Sequence, residues 1–297
     1  MNTVVFSNGF FRSGSTYFFD VMRQNNESIC FYEPLHPKLN TLAEAVHSSD
    51  LGHSVQTSPW AEHQHFRNSS AYTRYADELP QYIIDNMGYH HPFCLTKAVE
   101  GYFQSLQSLA IQENKSIIAC FNRSAFVAPA AANILSSCNL IYVHTRRPSL
   151  QIAMSLANIY ARSKDFNLFS REYRDPWGIT LLFDQYYTHY SDIYKLTNIS
   201  STAYSFVAKA CYIIGIVDLC MQKLSPIVFD ISQSMDDYRL STEELFCRLG
   251  YKGMPENVDT YIRNTFKQDA TRLSLPESTL TSNERILLES INFRDFS

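Results

Sequence analysis

The sequence predicts an α/β fold, a parallel sheet of about five strands flanked by helices. Two observations carry that prediction. Short runs that are apolar on both faces recur along the chain, and helical stretches separate them. The composition also supplies a large core: 297 residues, 45% hydrophobic and 18% charged, with no signature of disorder. A formal net charge of -4 argues against nonspecific nucleic-acid binding, although a local basic pocket stays compatible with it.

The elements follow in order. "TVVFS" (3–7) is a short apolar run ending before Asn-Gly and reads as a buried strand. A loop follows, then "STYFFDVMRQN" as a helix. "SICFYEP" (28–34) is a second strand stopped by Pro34, and "SIIACF" (116–121), "LIYVHT" (140–145) and "IVFDI" (227–231) are three more. Residues 38–115 hold no convincing strand and read as a mainly helical insertion, with helices over "AYTRYADELPQYIIDNM" and "AVEGYFQSLQSLAIQEN". Residues 165–200 form an aromatic-rich segment that includes "DFNLFSREYRDPWG". Both segments are expected to lie over the sheet edge and shape an acceptor pocket. With no internal repeat or low-complexity linker, residues 1–297 are expected to form one domain.

Other features narrow the class. The seven cysteines are scattered without a C-x-x-C pair, which fits reduced, mostly buried thiols in a cytosol. "MNTVVFSNGFF" lacks a basic start and a long apolar run, so a cytoplasmic location is expected. "FVAKACYIIGIVDLCM" from Phe206 carries Lys209 and Asp218, is too short to span a bilayer, and reads as a buried helix. The pairs "HQH" (63–65) and "HH" (90–91) have no companion ligands nearby, so no metal site is expected.

Chemistry is carried first by "GFFRSGSTYFF", Gly9 to Phe19. Its spacing is that of a Walker A loop, but a serine stands at position 15 where the lysine would reach the β- and γ-phosphates. Strand, glycine-bearing loop and helix are nevertheless the setting in which backbone N–H groups and a helix dipole receive an anion. Gly14 permits close backbone approach, and Ser13, Ser15 and Thr16 add hydroxyl donors. Arg12 keeps a cation at the crown of the loop. A second constellation is "LIYVHTRRPSLQIAMSLANIY", where a strand ends in Arg146 and Arg147, and a helix after Pro148 carries Ser155 eight residues beyond Arg147. An arginine fork and a hydroxyl in that arrangement suit a phosphate, and two separate anion sites imply a ligand with two separated phosphate groups.

On these motifs the chain resembles the sulfotransferases that use 3′-phosphoadenosine 5′-phosphosulfate (PAPS). "FRSGST" is similar to that family's 5′-phosphosulfate loop, and "RRP…S" to its 3′-phosphate motif. "CFYEPLHP" (30–37) resembles an element of the carbohydrate-acting branch, and "IVFDISQSMDDYRLSTEELFCRLG" the family's late strand, acidic turn and closing helix. The resemblance implies metal-independent, in-line transfer of a sulfuryl group from PAPS to a hydroxyl of a carbohydrate or glycoconjugate, leaving adenosine 3′,5′-bisphosphate. It implies that Arg12 stabilises developing charge and that Ser13, Gly14, Ser15 and Thr16 hold the 5′-phosphate. Arg146, Arg147 and Ser155 would hold the 3′-phosphate. Glu33, ending the second strand, is the expected general base, with His36 as competitor.

The sequence also departs from the family pattern. The arginine of that motif usually stands two residues before the proline; here that is Arg146, whose eighth successor is Met154, so both arginines remain candidates. Residues 251–297 show no clear counterpart of the family's basic cofactor segment, for which Lys267 and Arg272 are the nearest candidates. Two alternatives stay open: a P-loop kinase or other nucleoside-triphosphate enzyme, and a regulatory protein with a degenerate nucleotide site.

Overall fold

The computed structural model describes residues 3–10, 13–32, 34, 97–122, 135, 138–162, 183–184, 187, 204–268 and 280–292. Among them, β1 (Thr3–Gly9), β2 (Ser28–Tyr32), β3 (Ser116–Phe121), β4 (Asn139–Arg146) and β5 (Ile227–Asp230) form one sheet. All pairings are parallel and the order is β2-β3-β1-β4-β5. The helices are α1 (Ser15–Met22), α2 (Lys97–Glu113), α3 (Ser149–Arg162), α4 (Phe206–Leu224), α5 (Met235–Arg248), α6 (Glu256–Gln268) and α7 (Ser282–Asn292). The predicted α/β class, with five parallel strands flanked by helices, is what the chain adopts.

The position of β1 follows from its composition. Every residue of this strand is buried, so it takes the centre, with β3 on one side and β4 on the other. It runs to Gly9, two residues past the predicted end, because Asn8 still pairs with Phe121 and His144, and Gly9 with Thr145. Side chains alternate across the sheet. On one face Phe6 meets Phe103 of α2 edge-on at 5.8 Å, and His144 faces Asp218 of α4. On the other, Phe18 of α1 packs on Phe229 of β5 at 4.7 Å, and Tyr238 of α5 packs on the same ring. Each such fully buried aromatic contributes about 1.5–3 kcal/mol relative to exposure.

The apolar stretch from Phe206 is the buried helix α4, as predicted, and it packs with α3 and α7 around a second apolar cluster. Its N-terminus is capped by Ser205, whose hydroxyl accepts from the Ala208 amide. Helix α5 opens on a reciprocal capping box between Ser234 and Asp237. Among the described residues, no helix is long and apolar enough to cross a membrane. The predicted helix over 71–87 and most of the 165–200 segment lie outside the described residues.

Topology fixes where a ligand would sit. The chain leaves β1 towards β2 on one side, and leaves β4 towards β5 on the other. The carboxyl ends of β1 and β4 therefore form the switch point, the crevice that open α/β sheets use for ligands. The two turns singled out in the sequence both begin there.

Candidate functional site

The loop after β1 is shaped by two glycines. A Cβ at Gly9 would stand 1.9 Å from Thr145 Oγ1 and 2.8 Å from the Thr145 carbonyl oxygen, so no side chain fits between β1 and β4 at that level. Gly14 has φ +96°, in the left-handed region, and a Cβ there would meet Ile231 Cγ2 at 2.8 Å. Between them the loop is pinned by the Ser13 amide, which donates to the Phe10 carbonyl at 3.1 Å. The buried Ser13 hydroxyl also lies 3.1 Å from Thr145 Oγ1. Gly14 is the N-cap of α1 and offers no side-chain cap. The first-turn amides of α1, which an α-helix leaves without intrahelical partners, are thereby turned to the loop. That is the construction of an anion cradle.

A hydroxyl network backs the cradle. Thr16 Oγ1 lies 2.6 Å from the Tyr32 hydroxyl, and Asn122 Nδ2 donates to that same hydroxyl at 3.1 Å. Three elements thus converge: the start of α1, the end of β2 and the residue just after β3. Asn122, just after β3, thereby fixes the Tyr32 hydroxyl. Tyr32 was missed because a tyrosine ending an apolar strand looks like plain packing.

The second turn follows β4. Arg146 ends the strand in register with Asp230, and its carbonyl accepts from the Ile231 amide at 3.2 Å. The Pro148 carbonyl accepts from the Gln151 and Ile152 amides, so the proline opens α3 as predicted. Ser155 lies half-buried on α3, about two turns into that helix. Behind the turn is a group that the sequence did not announce. His144, fully buried, is placed with Nδ1 3.1 Å from the Asn8 carbonyl oxygen. Its Nε2 lies 3.0 Å from Asp218 Oδ1, close in distance but off the line of a hydrogen bond. The other carboxylate oxygen of Asp218 is 3.9 Å from Arg146 Nε. Two signals were available in the sequence, a histidine inside an apolar strand and an aspartate inside an apolar helix, but nothing in the pattern paired them.

The two turns therefore emerge from neighbouring strands, with Ser13, Gly14, Ser15 and Thr16 on one and Arg146 and Arg147 on the other. Arg12, Glu33 and His36 lie outside the described residues, as does Arg272. Lys267 falls in the last turn of α6. Asp230 caps its own turn, accepting from the Ser232 amide at 2.9 Å. Among the described residues no cluster of His, Cys, Asp and Glu has the make-up of a metal site. The Cys30, Cys120 and Cys211 thiols are buried, and burial pushes the Cys211 thiol up to about 12, while Cys247 is exposed. A cleft of about 530 Å³ lies between α5 and α6. Tyr251 in its wall bonds to Ser28 at the start of β2, which puts this cleft at the opposite end of the sheet from the loop.

No protein-family model matches the chain, and no curated protein sequence does. Solved structures do. The sulfotransferase STF9 from Mycobacterium avium superposes with a TM-score of 0.51, covering 100% of this chain and 78% of that one at 9% identity. The likeness is one of fold. The sulfotransferase domain from the Synechococcus PCC 7002 olefin synthase aligns over 99% of this chain and 95% of its own, at 13% identity and a TM-score of 0.40, too slight to carry weight.

Proposed function

We propose that the chain is a sulfotransferase that moves a sulfuryl group from PAPS to a hydroxyl of a carbohydrate or glycoconjugate, acting as one domain in the cytoplasm. One observation carries the reading: the glycine-bearing loop and the arginine turn stand on the neighbouring strands β1 and β4 at the switch point, and the first has a serine at position 15. A ligand with separated 5′- and 3′-phosphates suits two such turns. The fold likeness to a sulfotransferase agrees with it.

The residues fit the donor. Glycine at position 9 lets β1 and β4 close together, and glycine at 14 brings the loop backbone against Ile231 with its helix amides directed at the anion. When bound, PAPS supplies an activated sulfuryl group of lower charge than a terminal phosphoryl, so neither Mg²⁺ nor the Walker lysine is required. Ser13, Gly14, Ser15 and Thr16 hold the 5′-phosphate, and Arg146, Arg147 and Ser155 the 3′-phosphate. Arg12 stabilises charge as it develops on the bridging and sulfuryl oxygens. Glu33 takes the proton of the acceptor hydroxyl, and His36 is its competitor for that role.

Nucleoside-triphosphate chemistry is the alternative that any phosphate loop raises, and Ser15 weighs against it. The test is direct transfer. Sulfur-labelled PAPS in EDTA with a panel of hydroxyl-bearing glycans should give labelled product. Phosphoryl transfer from ATP–Mg²⁺ with no sulfuryl transfer to any hydroxyl would contradict the reading.

A further inference from the structure

We infer that Asp218, on the buried helix α4, is a positioning residue that sets the Arg146 end of the phosphate turn. The inference rests on the reading of that turn as a 3′-phosphate site, and adds a residue from an element that carries no ligand motif of its own. Asp218 is 8% exposed, and a buried carboxylate needs charged or donating partners. It has two on the same strand, both on the face turned to α4: His144 Nε2 at 3.0 Å and Arg146 Nε at 3.9 Å. His144 in turn lies against the Asn8 carbonyl, in direct register with the residue that precedes Gly9. Asn8, His144, Asp218 and Arg146 therefore lie in a row of close polar approaches from the root of the phosphate loop to the root of the arginine turn, the last of them an ion pair without a hydrogen bond.

The geometry separates two roles by the sign of an effect. A carboxylate that merely sits near a phosphate site repels the phosphate, and removing its charge tightens binding. A carboxylate that holds an arginine in place does the reverse, because an unanchored guanidinium gives up side-chain freedom again when it binds. Side chains linked in one such network couple by 0.5–3 kcal/mol, which brackets a tenfold change in affinity.

The experiment measures the dissociation constants of adenosine 3′,5′-bisphosphate and adenosine 5′-phosphate by titration calorimetry on the full chain. Their ratio reads the 3′-phosphate alone. Asp218→Asn, which keeps the shape and removes the charge, should weaken the bisphosphate about tenfold and leave the monophosphate unchanged. In an Arg146→Gln background the same change should add nothing, since Asp218 acts through Arg146. Tighter or unchanged bisphosphate binding overturns the assignment. So does equal weakening of both ligands, which marks a structural residue, or a further tenfold loss in the Arg146→Gln background. If Asp218→Asn does not fold, Asp218→Ser, smaller and still polar, takes its place and should lose the bisphosphate preference in the same way. A retained preference in that variant overturns the inference. A wild-type protein that binds both ligands equally fails at an earlier step, overturning the 3′-phosphate reading itself.

Discussion

At the scale of single residues, Gly9 is the sharpest determinant of the loop. Any side chain there meets the Thr145 hydroxyl, the Ser13 hydroxyl and the Thr145 backbone at once. The two hydroxyls can rotate away, but the carbonyl at 2.8 Å cannot without spreading β1 from β4. Gly9→Ala is expected to cost about 1–3 kcal/mol of stability. It should also weaken adenosine 3′,5′-bisphosphate binding at least tenfold, read by calorimetry on folded protein; an alanine variant with wild-type affinity would show that the strand ends do not set the loop. Glu33 carries the other residue-scale prediction. If it takes the acceptor's proton, Glu33→Gln should lower kcat by about 10²–10⁴-fold with donor affinity nearly unchanged. Lost donor binding, or full turnover, would move the base elsewhere, with His36 the next to test.

At the scale of elements, α7 is fastened to α4 by one carboxylate. Glu284 is buried and accepts from the Ser205 amide at 2.6 Å and the Thr281 amide at 2.8 Å. It completes a capping box with Thr281 while serving the cap residue of α4. Burial alone pushes its carboxyl up, but the hydrogen bonds from Ser205 and Thr281 outweigh that and hold it below the ordinary 4.5. A lowered folded-state value means the stabilisation is fully present above 4.5 and is lost as pH falls through the folded value. Glu284→Gln should therefore cost about 1–2 kcal/mol at pH 7. Denaturant titrations across pH should show that gap closing in acid; a gap that persists unchanged at the lowest pH would place the stabilisation in packing instead.

Elements also show how much was legible in advance. All five strands were readable because a strand buried on both faces leaves an uninterrupted apolar run, as "SIIACF" does. The ends were less so: α1 stops at Met22, where Arg23 to Asn25 turn into β2, and nothing in the composition of "RQN" marks that stop. The two strand-end turns were legible because glycine, proline and paired arginines interrupt the apolar runs there. Thr145, Tyr32 and Asp218 were not, since each acts through a residue more than 15 positions away. Only the sheet order makes those residues neighbours.

For the whole molecule, the claim that matters is that the sheet delivers two phosphate sites and dispenses with the lysine and the metal of a nucleotide-triphosphate loop. Ligand-induced stabilisation of the intact chain tests it most directly. Thermal unfolding is followed with adenosine 3′,5′-bisphosphate in EDTA and, separately, with ATP and Mg²⁺. The bisphosphate, at 100 times its dissociation constant, should stabilise the fold by about 2.7 kcal/mol with no metal present. ATP–Mg²⁺ at the same concentration should stabilise it less. An equal or larger shift from ATP–Mg²⁺, or a bisphosphate shift that EDTA abolishes, would contradict the account.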